Sequence, residues 1–207
     1  MKLADLLLAE LEREAAGTRS ALQRVPEGHN DWKPHPKSMP LGYLASLVAT
    51  MPSWVAMMVK QDELDLKSPG AARFKPLEWR TRAELVSALD GAVAEARAAL
   101  QNTTEEHLLT PWRFVVGGHV ASESPRHVMI ADAVFNHLAH HRGQLTVYLR
   151  LNEASVPAVY GPSAEGGDST STRRPQSGLS DASCQDADLL RNFIVATAVV
   201  SVMCSLV

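Results

Sequence analysis

Apolar side chains recur every three or four residues in four stretches of this chain, with polar and charged side chains between them. The stretches cover residues 2–24, 40–60, 81–103 and 125–151. This spacing has the period of an α-helix and gives each segment one face that can be buried. Four helices of roughly 20 residues each are typical of a helical bundle. The pattern therefore predicts an all-α fold of the four-helix-bundle class.

Local signals refine this prediction at three points. Thr81 followed by Glu84 is the pattern of a capping box, which predicts a helix start there. Pro52 lies inside the second helix and predicts a kink, because proline cannot donate the backbone hydrogen bond. Residues 112–120 contain two consecutive glycines between apolar runs, which predicts a short hairpin-like insert before the last helix.

The composition of the chain changes after residue 163. Residues 164–188 are rich in glycine, serine, threonine and aspartate, which predicts a disordered linker. The apolar run from Phe193 to Val207 is 15 residues long, shorter than the roughly 20 residues that a membrane helix needs. We therefore divide the chain into a bundle domain, residues 1–163, and a tail, residues 164–207, and expect no membrane anchor.

Overall composition excludes several classes of function. The chain has 45% hydrophobic and 21% charged residues and a formal net charge of −3, which suits a globular protein and gives no basic surface for nucleic acid. The first residues lack the apolar core of a signal peptide, so we expect a cytoplasmic protein. Both cysteines, Cys184 and Cys204, lie in the tail, which excludes a thiolate metal site in the bundle.

Candidate chemistry is concentrated in the fourth helical stretch, where His137 and His141 are four residues apart. Residues with this spacing project from the same face of a helix. Val134, Leu138 and Leu145 lie close to that face, so both histidines are predicted to point inward. Two neutral imidazoles can bind one divalent metal, although zinc sites normally have three or four protein ligands. The alternative is a vestigial site whose histidines hydrogen-bond to neighbours or water.

Three blocks of sequence, residues 31–39, 112–126 and 136–145, together resemble the DinB family, also described as DinB/YfiT-like four-helix bundles. The block from Asn136 to Leu145 is the most specific, because it matches over a continuous run. The resemblance extends over roughly residues 1–163. It implies an up-down-down-up bundle, frequent homodimers, and often a divalent metal such as zinc or nickel held by three histidines.

The family pattern maps two of these three histidines onto His137 and His141. The third belongs in the second helix, in a stretch that here runs from Leu41 to Ala49, and its position is occupied by Leu47. The resemblance therefore implies that metal binding is weak or absent. His140 and His35 are the histidines that could conceivably replace the missing ligand.

Two functional hypotheses follow from the resemblance and its departure at Leu47. The first is a metal-dependent thiol transferase or hydrolase that uses His137 and His141, acts on a small-molecule or thiol substrate, and has catalytic residues still to be assigned. The second is a non-catalytic bundle that acts as a binding or stress-response protein without bound metal. Leu47 distinguishes the two hypotheses and favours the second.

Overall fold

The computed structural model describes residues 2–68 and 79–165, and this part of the chain is mostly helical. The elements in chain order are α1 Leu3–Leu22, α2 Leu41–Thr50, α3 Ser53–Lys60, β1 Glu63–Asp65, α4 Arg82–Gln101, α5 Glu105–Leu109, β2 Pro111–Val116, β3 His119–Pro125, α6 Arg126–Ile130, a π-helical segment Ala131–Asn136, and α7 His137–Leu151. The long helical stretches coincide with the four that the apolar period predicts.

The helix ends agree with the signals in the sequence. Thr81 accepts a hydrogen bond from the backbone of Glu84, and the Glu84 carboxylate accepts one from the backbone of Thr81, so the capping box of α4 is confirmed. The second predicted helix is divided at Pro52 into α2 and α3, whose axes differ by 50°. The kink predicted from that proline is therefore present and is sharp.

A three-stranded sheet accompanies the helices, and it corrects the expectation of an all-α fold. β2 and β3 form the predicted hairpin, whose turn residues Gly117 and Gly118 have φ of 62° and 80°. β1 pairs in parallel with β2, and its Asp65 carboxylate accepts hydrogen bonds from both turn glycines at 2.8 and 3.0 Å. Three residues give too short an alternation for β1 to be recognised from sequence.

The core lies between the long helices, where α1, α2 and α3 pack on α4 and α2 also packs on α7. The largest fully buried aliphatic side chains lie on α1, α2 and α4 and at the bend between α2 and α3: Leu11, Leu22, Leu41, Leu44, Met51, Leu85, Leu89 and Leu100. Trp112 and Phe114 of β2 are also buried. The insert is thus joined to the core and holds the start of α6 against it.

The last helical stretch is continuous from α6 through the π-helical segment into α7. A π-helical turn contains more residues than an α-helical turn, so it changes the direction in which the following side chains project. Such segments are frequent at functional sites. Here the π-helical segment ends immediately before His137, the first of the two candidate ligands.

The expectations of no membrane anchor and of a disordered tail both concern the C-terminal tail, most of which lies outside the described residues. Within residues 2–68 and 79–165, no single helix is long and apolar enough to cross a membrane, and the bent pair of α2 and α3, which passes by length and composition together, is largely buried in the core. The tail predicted for residues 164–207 lies outside the described residues, apart from Ala164 and Glu165.

Candidate metal site on the last helix

His137 and His141 lie one turn apart on α7 and are both only 2% exposed. Their Nε2 atoms are 2.8 Å apart, and the ring centroids are separated by 4.5 Å. The inward orientation predicted from the apolar neighbours is therefore present. The two Nε2 atoms face each other, so one imidazole donates a hydrogen bond to the other.

Burial keeps both imidazoles neutral at physiological pH. Desolvation, followed by the repulsion of His141 and His140, lowers the pKa of His137 from 6.5 to about 4. Desolvation also lowers the pKa of His141, and a hydrogen bond to Gln144 opposes part of this effect. A neutral imidazole has a free lone pair, which is the form that binds a metal. The electrostatics of the pair therefore suit a cation as ligand.

The immediate surroundings of the pair differ at its two ends. The ring of Trp54 on α3 packs against His137 with the centroids 5.8 Å apart. The Nδ1 atom of His137 has no hydrogen-bond partner among the described residues, and the carbonyl of Ala133 is near enough only to raise the pKa slightly. His141 instead places its Nδ1 atom 2.7 Å from the Oε1 atom of Gln144. The tautomer of His141 is thus constrained by a side-chain partner.

The position of Leu47 follows from two contacts between neighbouring helices. Tyr148 near the end of α7 donates a hydrogen bond at 3.3 Å to the carbonyl of Met39, just before α2. Trp54, beyond the bend, contacts His137 at the start of α7. The run from α2 to α3 is therefore antiparallel to α7, and Leu47 lies on α2 between these two contacts. Its side chain is partly exposed and packs against the core.

The two histidines suggested as substitute ligands lie in different places, His35 in a loop and His140 beside the pair, with its ring centroid 5.1 Å from that of His141. His35 is exposed in the loop before α2, where its Nδ1 atom accepts a hydrogen bond from the backbone N–H of Lys37. His140 is exposed on α7, and its Nε2 atom lies 3.1 Å from the Nε2 atom of Gln144. Across the part of the chain that the structure describes, no three histidine, cysteine, aspartate or glutamate side chains are grouped for a metal.

A second buried polar cluster was not predicted as such from sequence. Arg142 follows His141 but projects towards α1, where it donates hydrogen bonds to the carboxylate of Glu14 at 2.6 Å and to the hydroxyl of Thr18 at 3.0 Å. The hydroxyl of Tyr160 bonds to both charged groups. Glu14 occupies a buried position in the apolar stripe of α1. A carboxylate at such a position is a signal that it has a buried partner.

The sequence of this chain matches a known protein family. The family model described as the DinB superfamily matches residues 10–145, which include both histidines and the position of Leu47. The chain belongs to the DinB superfamily. The matched region runs from within α1 to within α7, and the resemblance suggested by the sequence blocks is confirmed.

Solved structures of DinB proteins have the same fold. A DinB-like protein from Bacillus subtilis is 18% identical and superposes with a TM-score of 0.57, covering 75% of this chain and 99% of its own. A DinB-like protein from Bacillus cereus is 23% identical with a TM-score of 0.58, covering 74% of this chain and 95% of its own. No curated protein sequence matches the chain significantly. At these identities the similarity shows the fold alone.

Proposed function

We propose that this DinB protein retains a reduced divalent-metal site in which His137 and His141 bind zinc or nickel weakly. The observation that carries the proposal is the convergence of their Nε2 atoms, 2.8 Å apart, in a buried setting. Burial keeps both rings neutral, so a cation would not be repelled by a protonated imidazole. Imidazole nitrogens are suitable ligands for a divalent cation, and these two would supply two of its coordination positions.

Weak binding is the expected consequence of Leu47. Leu47 occupies the position where the resemblance implies the third histidine, and an aliphatic side chain offers no lone pair. A cation held by two imidazoles must complete its coordination with water or with ligands from a substrate. Both the loss of a protein ligand and the need to order water lower affinity.

The chemistry that this site supports best is of the thiol-transferase or hydrolase kind. A bound divalent metal lowers the pKa of a coordinated water or thiol and so supplies a nucleophile near neutral pH. The contribution of the chain is to hold two neutral imidazoles in a largely dry setting, with Trp54 packed against one of them. Coordination positions not filled by protein would be open to a small-molecule or thiol substrate.

A second function is favoured by Leu47 itself: a non-catalytic binding or stress-response protein without bound metal. In that case the two histidines satisfy each other through their 2.8 Å contact, and the site is vestigial. Leu47, which packs against the core, would then contribute apolar contact where a ligand is expected.

Metal titration distinguishes these functions. We expect isothermal titration with zinc and with nickel to give weak binding by the unmodified protein, stronger binding by Leu47→His, and none by His137→Ala, which leaves a single imidazole. Leu6→His, which adds a histidine at an exposed position of α1, is the matched control and should not strengthen binding. Tight stoichiometric binding by the unmodified protein, abolished by His137→Ala, would show that another residue completes the site.

Family membership supports three further proposals. We propose that the four long helical stretches have the up-down-down-up bundle order, that the protein is a cytoplasmic homodimer, and that the domain ends near residue 163. Light scattering of the purified protein tests the dimer, because it measures molar mass directly. A monomeric mass at micromolar concentration would contradict that part of the proposal.

A further inference from the structure

Gln144 lies between an exposed histidine and a buried one on α7. Its Oε1 atom is 2.7 Å from the Nδ1 atom of His141, and its Nε2 atom is 3.1 Å from the Nε2 atom of His140. His141 in turn contacts His137 through the two Nε2 atoms. These contacts form one chain of hydrogen bonds from the surface of the helix to its buried face.

The chemistry of the Gln144 amide determines which atom donates in each of these hydrogen bonds. A carbonyl oxygen can only accept, so the Nδ1 atom of His141 must carry the proton in its bond to Gln144. In a neutral imidazole the other nitrogen then has a free lone pair, which faces the second ring. His137 must therefore donate from Nε2, which leaves its Nδ1 atom unprotonated. That atom is the one without a hydrogen-bond partner among the described residues.

We propose that Gln144 is a positioning residue that fixes His141 in the Nδ1–H tautomer and so directs its Nε2 lone pair at the candidate metal position. This inference rests on the proposed function for its purpose, since the hydrogen bond of a ligand histidine to an outer partner sets both its tautomer and its orientation. His140 contributes by accepting from the amide nitrogen, which keeps the amide oxygen turned towards His141.

The two histidines therefore differ in how ready they are to bind a metal. His141 already has the tautomer that a metal ligand needs, so it binds without moving its proton. His137 must move its proton from Nε2 to Nδ1 before it can bind, and the carbonyl of Ala133 is the nearby acceptor for the new N–H group. The pair is thus prepared on one side only, which adds a reason for weak binding to the one that Leu47 supplies.

Nitrogen chemical shifts of histidine test the proposal without any metal. In full-length protein labelled with ¹⁵N-histidine and held at about pH 8, long-range ¹H–¹⁵N correlation spectra distinguish the two neutral tautomers. We expect His141 as Nδ1–H and His137 as Nε2–H, with the assignment made from His137→Ala and His140→Ala. Gln144→Met removes the acceptor at similar length and should release His141 from the Nδ1–H form, whereas Gln144→Glu keeps an acceptor and should preserve it.

A matched control is Gln101→Met at an exposed glutamine of α4, which should leave the shifts of both histidines unchanged. An Nε2–H form of His141 in the unmodified protein would overturn the proposal. So would an Nδ1–H form that persists in Gln144→Met. The first measurement needs no variant at position 144, so the proposal is decided even if Gln144→Met does not fold.

Zinc titration gives the second readout and separates the two proposals. In the Leu47→His background we expect Gln144→Met to weaken zinc binding by about 10- to 100-fold and Gln144→Glu by much less. If no variant binds zinc, the proposed metal function is wrong, whereas the tautomer of His141 is still decided by the spectra. Unchanged affinity in Gln144→Met, with binding otherwise intact, would overturn the positioning role.

Discussion

Buried polar side chains in this protein are accommodated in two different ways. Glu14 and Arg142, each 2% exposed, form an ion pair with an N···O distance of 2.6 Å. The other oxygen of Glu14 has no hydrogen bond among the described residues and only the charge of Arg13 at 3.3 Å. The two histidines instead give up their charge, because burial disfavours the protonated ring. The charged pair suits a structural role, whereas the neutral pair presents imidazole nitrogens to a ligand without a positive charge on either ring.

The lowered pKa of His137 predicts a dependence of stability on pH. Between about 4 and 6.5 the unfolded chain binds a proton at this residue that the folded chain does not. The free energy of unfolding therefore rises with pH across this window and falls as the pH drops through it. Each pH unit within this window changes the free energy of unfolding by about 1.4 kcal/mol. Lowering the pH through the whole window therefore reduces the free energy of unfolding by up to roughly 3 kcal/mol.

Urea unfolding at several pH values between 4 and 7 measures this effect. We expect His137→Gln to flatten the curve relative to the unmodified protein, since the substituted residue does not titrate. His119→Gln, at an exposed histidine of β3, should leave the curve unchanged. Parallel curves for the unmodified protein and His137→Gln would contradict the prediction.

The candidate site was partly predictable from single residues. The i, i+4 spacing placed both histidines on one face, and their apolar neighbours turned that face inward. The resemblance supplied Leu47 as the position of the missing ligand. The i+3 and i+4 spacings on α7 bring Gln144 near His141 and His140, but which of its atoms meets each ring depends on rotamers. The network of Arg142 joins α1, α7 and residue 160, so it does not follow from spacing along one helix.

The helices and their ends were predicted because period and caps are local properties of the sequence. Thr81 and Pro52 mark a start and a bend in the expected places. The π-helical segment Ala131–Asn136 was missed, since the apolar period continues through it with only one extra residue in the turn. β1 was missed because three residues show no alternation, and its pairing with β2 is a contact of distant parts of the chain.

A glycine in α1 shows how closely the segment after α7 approaches that helix. A Cβ atom at Gly17 would lie 2.7 Å from the Cγ1 atom of Val159, well inside normal contact distance. At Gly91 of α4 a Cβ atom would meet nothing within 4 Å. Both glycines are inside helices, where alanine is more favourable by about 0.5–1 kcal/mol.

The two glycines form a matched pair of substitutions. We expect Gly91→Ala to raise the free energy of unfolding by about 0.5–1 kcal/mol. Gly17→Ala should lose that gain and lower stability, because Val159 and the segment that carries it must shift. Chemical denaturation of both variants measures the difference. Equal stabilisation by the two alanines would show that residues 154–160 do not pack on α1 as described.

The segment after α7 is connected to the rest of the molecule at several points. Its residues bond back to α1 and to the loop after it through Asn152 with His29, Ser155 with Arg24, and Tyr160 with Glu14. Glu165 pairs with Arg150 and accepts from the backbone N–H of Val156 at 3.2 Å. The contacts that complete the fold thus reach at least to residue 165, slightly beyond the boundary at residue 163 that the composition predicts.

These contacts lead to a prediction for truncated proteins. Residues 166–207 contain the polar linker and the apolar end of the chain, and a linker of that composition buries too little apolar surface to offset the entropy of ordering it. We expect a chain ending at Glu165 to fold and to melt within a few degrees of the full-length protein. A chain ending at Ser163 should melt at a slightly lower temperature, because it also lacks Glu165 and its contacts with Arg150 and Val156. The difference should be small, since these contacts are exposed.

A chain ending at Asn152 provides the contrast for both. It removes Tyr160 and Val159 and leaves Arg142 with Glu14 and Thr18 as its remaining described partners, so its melting temperature should fall clearly below that of the two longer forms. Melting curves followed by circular dichroism, with light scattering to detect association, compare the series. Failure of the chain ending at Glu165 to fold would show that residues 166–207 belong to the core. The apolar run from Phe193 to Val207 would then have a structural role that its composition does not indicate.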